Sequence, residues 1–315
     1  MQVSVLIPAY NVEKYIGECL ESVCNQTYRD LQIVVIDDGS KDSTFSILSA
    51  FAKKDNRIEI ISRRNMGVAQ TRNELLDRAK GEFVLFVDSD DWIEPEMIST
   101  LLNLSKEYSV DLTMCRNCAD KPDNTRPDSS SMVWEKNEIL NKFVEHRELT
   151  GSLWNKLIKR SLFDGIRFQR GISYGEDAIV MWDILNKIDK MVYTPREYYH
   201  YRMNDNSISH QVLSESKMSV LTVWEYISSK AMALDRILGN NARARFGGEI
   251  SLLLFEYIRG ESTPEGEKRA KILRNNLKEL YQFMYKSEVI SYKMKLFAGL
   301  SLLNWSLLKF LIRRF

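Results

Sequence analysis

The sequence predicts an α/β fold: a doubly wound, mostly parallel sheet with helices on both faces, followed by a helical C-terminal extension. Three observations carry this reading. Strand and helix patterns alternate through the first hundred residues. Two acidic clusters, Asp37-Asp38-Gly39 and Asp88-Ser89-Asp90-Asp91, each follow a short apolar, β-branched run of the kind that forms a buried strand. From Leu213 onward the periodicity is helical.

Taken in order, Val3 to Ile7 reads as a strand ending at Pro8, and Glu13 to Val23 as a helix with Ile16, Leu20 and Val23 on one face. Leu31 to Ile36 is a second strand, ending at Asp37. Ser40-Lys41-Asp42-Ser43 caps a helix carrying Phe45, Ile47, Leu48 and Phe51. Ile58 to Ile61 is a third strand, and Gly67 opens a helix to Ala79. Phe83 to Val87 is the fourth strand, and Pro95 suits the first turn of a helix through Leu104. Ala119 to Ser131 is polar and reads as a loop. Trp134 to His210 is mixed and aromatic-rich, which suits a region that completes a site. Beyond it, Ser214–Leu238, Arg243–Arg259, Glu267–Tyr285 and Ser291–Phe315 read as helices, with Asn240-Asn241 and Thr263-Pro264-Glu265-Gly266 between the earlier ones. The expected division is a domain over 1–210 and a helical region over 211–315.

With 315 residues, 44% hydrophobic and 28% charged, the composition is that of an ordinary globular protein. The net charge of +1 conceals an asymmetry: residues 211–315 carry +7 and residues 1–210 carry −6. The basic surplus, much of it after Pro264, points to a surface partner rather than to fold, and no nucleic acid is expected. Cys115-Arg-Asn-Cys118 has zinc or redox spacing, but no second pair or nearby histidine completes a site. Four cysteines suit a reducing cytosol. The N-terminus runs straight into a strand, so no signal peptide is expected, and no apolar stretch is long enough to span a membrane.

Both acidic clusters fall at carboxyl ends of strands, where open α/β sheets bind ligands. Asp, Ser and Gly also favour turns, but recurrence at equivalent places in one series favours a ligand. The first strand–helix turn, Pro8-Ala9-Tyr10-Asn11, lacks the glycine pattern that cradles a pyrophosphate, and no Walker loop is present. Asp88-Ser89-Asp90 offers another way to hold phosphate, through Mg²⁺ or Mn²⁺. Gly67 allows either a tight turn or close approach to a ligand. Arg72 and Asn73 either brace the acidic strand end or form a solvated helix face. Glu176 and Asp177 open an apolar helix. The macrodipole alone favours acids there, and the same position suits a proton acceptor. The two side chains point about 100° apart, which argues against a glycosidase pair. Leu296 to Leu308 is apolar with Trp305 and flanking lysines and arginines. It reads either as an interfacial membrane helix over 291–315 or as a core or oligomer-forming helix.

In order along the chain, Ile7-Pro8-Ala9-Tyr10-Asn11, Asp37-Asp38-Gly39-Ser40, Asn65-Met66-Gly67 with Arg72-Asn73, Asp88-Ser89-Asp90-Asp91, Trp154-Asn155-Lys156, Glu176-Asp177 and Tyr198 to Ser209 resemble family 2 glycosyltransferases of the GT-A fold. The resemblance covers about residues 1–210 and is nearest to bacterial enzymes that build surface polysaccharides. It implies a nucleotide-binding half over 1–100 and an acceptor-binding half over 101–210. It also implies an inverting, metal-dependent transfer from a nucleotide-diphosphate sugar, a UDP-sugar, to a saccharide or lipid-linked acceptor, on the cytoplasmic side of the membrane. By the same resemblance, Pro8, Ala9 and Tyr10 line the nucleobase pocket. Asp37 meets the base edge, with Asp38 beside it. Gly67 and Ser89 belong to the donor site. Asp88 contacts the ribose or the metal, Asp90 holds Mn²⁺ or Mg²⁺ on the diphosphate, Asp177 is the base, and Glu176 shapes the sugar or acceptor pocket. Arg202 and Ser207 reach the diphosphate, and His200 is the nearest candidate for a further metal ligand. Two other readings are a nucleotidyltransferase, which leaves the Glu176-Asp177 helix start unexplained, and a non-catalytic nucleotide-sugar binding module.

Overall fold

The computed structural model describes residues 1–119, 130–146, 148–172, 174–202, 213–260 and 263–314. They form two compact units. The first comprises Met1–Ile139, Gly151–Gly171 and Val180–Asn204, and the second Leu140–Thr150, Ile172–Ile179 and Asp205–Phe315. The sequence division at residue 210 therefore misses two segments that join the helical unit. One reason is visible at residues 174–175: Tyr174 lies against Lys217, and Gly175 against Val223.

The first unit is built on one sheet, of nine strands among the described residues: β1 (Val3–Ala9), β2 (Leu31–Asp37), β3 (Ile58–Ser62), β4 (Phe83–Phe86), β5 (Trp92–Ile93), β6 (Leu112–Ala119), β7 (Met132–Glu135), β8 (Lys156–Lys159) and β9 (Lys190–Tyr201). The order is β3-β2-β1-β4-β8-β6-β9-β5, with β7 on β9. The β3-β2-β1-β4 half is parallel throughout; β8 then pairs antiparallel with β4 and β6, while β6 and β9 run parallel. The expected strands are all present; β1, β2 and β4 are buried on both faces, while the edge strand β3, which contains Glu59, is only partly covered.

Alternation decides what covers each face. Val3, Val5, Ile7, Ile33, Val35 and Leu85 pack with Ile16, Leu20 and Val23 of α1 (Ile16–Cys24), Leu48 of α2 (Thr44–Ala52), and Met97, Ile98 and Leu101 of α4 (Met97–Tyr108). On the opposite face Phe86 meets Phe163 and Phe168 edge-on, and α3 (Val68–Arg78) packs against β1 and β2. Helices thus lie on both faces, as expected. The chain steps from β1 to β2 and β3 on one side and then returns to β4 on the other. The topological switch point is therefore between β1 and β4.

One local expectation is corrected, and one is narrowed to a residue. Pro95 precedes α4 rather than sitting in its first turn, and its carbonyl accepts the Thr27 amide at 2.8 Å. The start of α2 is capped from within Ser40–Ser43, as expected, by Asp42 and not by Ser43. Asp42 Oδ1 accepts the Thr44 amide at 3.0 Å, and Glu13 from the neighbouring loop accepts the Ser43 amide at 2.8 Å. That second contact joins the β1 and β2 loops, and no local pattern signals it.

The second unit contains α7 (Ser219–Leu234), α8 (Arg236–Arg259), α9 (Pro264–Lys286), α10 (Tyr292–Leu303) and α11 (Trp305–Arg314). Asn240-Asn241 does not separate helices but lies inside α8. The break falls at Asp235, whose carboxylate caps α8 by accepting the Leu238 amide at 2.8 Å. Gly239 then permits a close crossing, since a Cβ there would sit 2.5 Å from Met232 Cα. Thr263 caps α9 through the Gly266 amide, with Pro264 in the first turn, so this polar stretch is a helix start rather than a linker. The expected single helix over 291–315 is two: Asn304 leaves helical geometry and accepts the Leu307 amide at 3.0 Å, capping α11. Among the described residues no helix is long and apolar enough to cross a membrane.

Candidate active site

Three strand ends meet beside the switch point: Ala9 of β1, Asp37 of β2 and the residues after β4. The Asp38 amide donates to the Ala9 carbonyl at 2.8 Å, and the Val87 amide to Leu6 at 3.1 Å. Pro8 and Ala9 end β1 here, with Ala9 buried and Tyr10 exposed beyond it.

Asp37 is buried. Its Oδ1 accepts the Ser40 amide at 3.0 Å and its Oδ2 the Ser62 hydroxyl at 2.9 Å, leaving each oxygen a further lone pair. Asp38 holds the next helix start. It accepts the Met66 amide at 2.9 Å and the Gly67 amide at 2.8 Å, and Arg63 Nη1 lies 2.9 Å from its Oδ1. Gly67 adopts φ 87°, and the space around it is open, so its need for glycine is conformational. Gly39 is more constrained. At φ 78°, an added Cβ would meet the Asn65 amide nitrogen at 2.8 Å and the Arg63 carbonyl at 2.9 Å. Left-handed backbone costs a non-glycine residue roughly 1–2 kcal/mol, and here the backbone must also shift. Gly39→Ala is expected to lower stability by about 2 kcal/mol or more, read from denaturant midpoints; an unchanged midpoint would contradict the packing described.

The Asp88–Asp91 turn is held from several sides. Asp91 is buried, accepting the Tyr199 hydroxyl at 2.7 Å and the Arg202 amide at 2.8 Å. The Asp88 amide donates to the Tyr199 hydroxyl at 3.1 Å, and Arg72 Nη2 lies 3.3 Å from Asp88 Oδ1. Ser89 is buried in the same turn. Arg72 therefore braces the acidic end, its guanidinium 5.7 Å from the Phe168 ring. Asn73 instead exchanges two 2.9 Å hydrogen bonds with the Phe168 backbone. Arg202 Nε donates to the Asp90 carbonyl at 2.9 Å, and its Nη2 pairs with Glu18. Its guanidinium lies 4.7 Å from the Trp92 ring and 5.1 Å from that of Tyr15. His200 is buried, stacked on Trp92, with Nε2 2.6 Å from Glu94 Oε1. Its position is that of a packing residue. Ser207 lies outside the described residues.

This turn carries negative charge that nearby side chains register. Burial pushes the Asp91 carboxyl up to about 8, with the charge of Asp88 next and that of Asp90 smaller, against the opposing pull of the Arg202 amide and Tyr199 hydroxyl. Burial and then Asp91 also push Tyr199 upward, and the Cys19 thiol rises from burial with additions from Asp91, Asp90 and Asp88. A divalent cation fits such a place: the donors are carboxylate oxygens, and their mutual repulsion would be relieved. Among the described residues no three acidic, His or Cys side chains are arranged to hold a metal. Mg²⁺-type binding, in which one or two carboxylates act together with phosphate oxygens, does not require such a cluster.

Trp154 stacks on Tyr199 at 4.5 Å. Asn155 Nδ2 donates to the Cys115 carbonyl at 2.7 Å, and the fully buried Lys156 donates to Asn155 Oδ1 and to the Ser152 carbonyl, both at 2.7 Å. This motif supports the sheet behind Tyr199. Sequence reasoning missed Arg63, Tyr199, Glu18 and Trp92; only the aromatic density of residues 198–201 hinted at one of them.

In the second unit, Glu176 and Asp177 open α6 (Glu176–Leu185), and Glu176 is buried. Gly175 before them has φ 81° and faces Val223. The Lys217 ammonium, itself buried, lies 2.7 Å from Glu256 and 6.0 Å from the Tyr174 ring. Burial, then Glu249 and Glu256, push the Tyr174 hydroxyl up to about 12.

Comparison with known proteins adds the lineage. The family model described as "Glycosyl transferase family 2" matches residues 4–167. The glycosyltransferase GlyA of Streptococcus pneumoniae is 33% identical over 231 residues, covering 70% of this chain but only 33% of GlyA. The putative glycosyltransferase EpsH of Bacillus subtilis is 32% identical over 231 residues, covering 71% and 67%. Crystal structures of S. aureus TarS 1-349 match the whole chain and 90% of that fragment at 20% identity. The TM-score is 0.72, and 0.67 for its complex with UDP-GlcNAc. The sheet, its acidic strand ends and these likenesses agree: the fold is of the GT-A type, and the chain belongs to glycosyltransferase family 2.

Proposed function

We propose that the protein is an inverting, metal-dependent glycosyltransferase that moves a sugar from a UDP-sugar to a saccharide or lipid-linked acceptor in bacterial polysaccharide assembly. The proposal includes peripheral attachment at the inner face of the membrane. The observation that carries it is the convergence of Asp37, Asp38 and the Asp88–Asp91 turn at the switch point of the sheet. The UDP reading draws support from the TarS complex with UDP-GlcNAc.

In this reading Pro8, Ala9 and Tyr10 line the nucleobase site, and Asp37 accepts from the base edge with its remaining lone pairs. Asp38 fixes Gly67 and the start of α3 beside it. Asp90 and Asp88 would hold Mn²⁺ or Mg²⁺, which when bound neutralises charge on the departing diphosphate. Arg202, already against the Asp90 carbonyl, gives that diphosphate a cationic partner, as Ser207 gives it a hydroxyl. Asp177 takes the proton of the acceptor hydroxyl as that oxygen bonds to the anomeric carbon and the bond to the diphosphate breaks. One displacement inverts the carbon without a covalent enzyme intermediate. Glu176 shapes the acceptor pocket.

A release assay over a panel of nucleotide sugars, with and without lipid-linked and saccharide acceptors, tests this. The expected result is acceptor-dependent UDP release from at least one UDP-sugar. Binding without release on every acceptor would identify a non-catalytic module. Pyrophosphate release from a nucleoside triphosphate would identify a nucleotidyltransferase.

A further inference from the structure

The C-terminal helices α10 and α11 have two unlike faces. Inward, Ala298, Ser301, Trp305 and Leu308 are buried. The Trp305 indole N–H donates to Glu267 at 2.7 Å, its ring lies parallel to Tyr257, and Arg274 Nε donates to the Ser301 carbonyl at 2.8 Å. Trp305 is therefore a core residue and not the interfacial anchor its sequence context suggests. Outward, Tyr292, Leu296, Leu300 and Leu303 follow one another at spacings of four, four and three on α10. Leu307, Phe310 and Leu311 share a face of α11, and all seven are exposed, Leu303 at 84%. Both helices pack on α8 and on each other.

We infer that this outward face docks on an anionic lipid bilayer. Charge selects that occupant. From residue 289 to the C-terminus the chain has five cations, Lys293, Lys295, Lys309, Arg313 and Arg314, and no acidic residue. Lys309 is engaged with Glu267, Lys295 with the Tyr285 carbonyl and Arg313 with the Ile258 carbonyl, while Lys293 is exposed beside Tyr292 and Arg314 lies over the exposed Phe310 ring. Leucines and aromatics flanked by cations suit the boundary between acyl chains and anionic headgroups. A second copy of the same face would set these cations against one another, because a two-fold interface is self-complementary. The helices are too short to span, so they lie along the surface.

The inference gives the proposed membrane attachment its contact face. Its test reads binding alone, so failure of sugar transfer leaves it standing. The full chain is sedimented with vesicles of phosphatidylcholine and phosphatidylglycerol in equal parts, and with phosphatidylcholine alone. Binding is expected to the first, weaker to the second, and to fade with added salt. Leu303→Glu with Phe310→Glu should reduce binding on the order of tenfold or more, with the melting midpoint unchanged because both positions are exposed. No sedimentation with anionic vesicles at low salt would overturn the inference, as would undiminished binding of the variant. So would self-association that the variant abolishes in a protein that never binds vesicles, which would make the face a contact between copies.

Discussion

Asp177→Asn is expected to lower transfer on the order of 10²- to 10⁴-fold while leaving donor affinity unchanged. The substitution keeps the shape and polarity of a residue in the first turn of α6 and removes its capacity to take a proton. A sugar hydroxyl is a weak nucleophile, so the barrier rises when no base accepts its proton during attack. Donor affinity should survive because the residues proposed to bind the donor, Asp37, Asp88 and Asp90, lie at the ends of β2 and β4, whereas Asp177 opens α6. Acceptor-dependent product formation and calorimetric binding of the nucleotide sugar separate these two quantities. Glu176→Gln serves as a comparison: it removes a neighbouring carboxylate without removing the base, and its effect should fall more on acceptor KM than on kcat. Near wild-type turnover in Asp177→Asn would return the residue to the helix-start role that the macrodipole alone explains.

The parts of this molecule that were legible in the sequence are those fixed by local periodicity. The strands of the parallel half are continuous apolar runs, so their existence and the placement of Asp37 and Asp88 at their ends followed directly. What was not legible depends on contacts between distant segments. Arg63 matters because β3 and the Asp38 loop end together, and Tyr199 because β9 brings its hydroxyl to Asp88 and Asp91, more than a hundred residues earlier. Asp42 and Glu13 share the capping of α2 across two loops. In the helical unit, the asparagines at 240 and 241 looked like a break because turn residues were weighed without their neighbours. The capping carboxylate of Asp235 and the close crossing at Gly239 place the break earlier. Trp305 stayed open for the same reason: an aromatic amid leucines and cations reads as interfacial or as core until Glu267 and Tyr257 are seen around it.

Removal of divalent metal is expected to abolish transfer, with Mn²⁺ or Mg²⁺ restoring it. The argument rests on charge. The Asp88–Asp91 turn gathers three carboxyl groups; burial, with the charges of Asp88 and Asp90 added, pushes Asp91 up to about 8, so the charge rests on Asp88 and Asp90. Of the cations nearby, Arg72 is paired with Asp88, and Arg202, which also pairs with Glu18, brings the diphosphate one positive charge. Bringing a diphosphate to this strand end without a counter-ion would add further negative charge to it, so binding as well as turnover should suffer. Asp90→Asn should therefore lower transfer on the order of 10²-fold or more even with metal in excess, because an amide is a weaker ligand for a hard cation. Asp91→Asn supplies the contrast: its oxygens are spent on Tyr199 and Arg202, so its loss should loosen the turn and lower the melting midpoint while the metal requirement persists. Metal content is measured alongside activity after chelation. Undiminished transfer in a protein shown to be metal-free would remove the cation from the mechanism and leave Arg202 and Ser207 as the groups that must stabilise the leaving diphosphate.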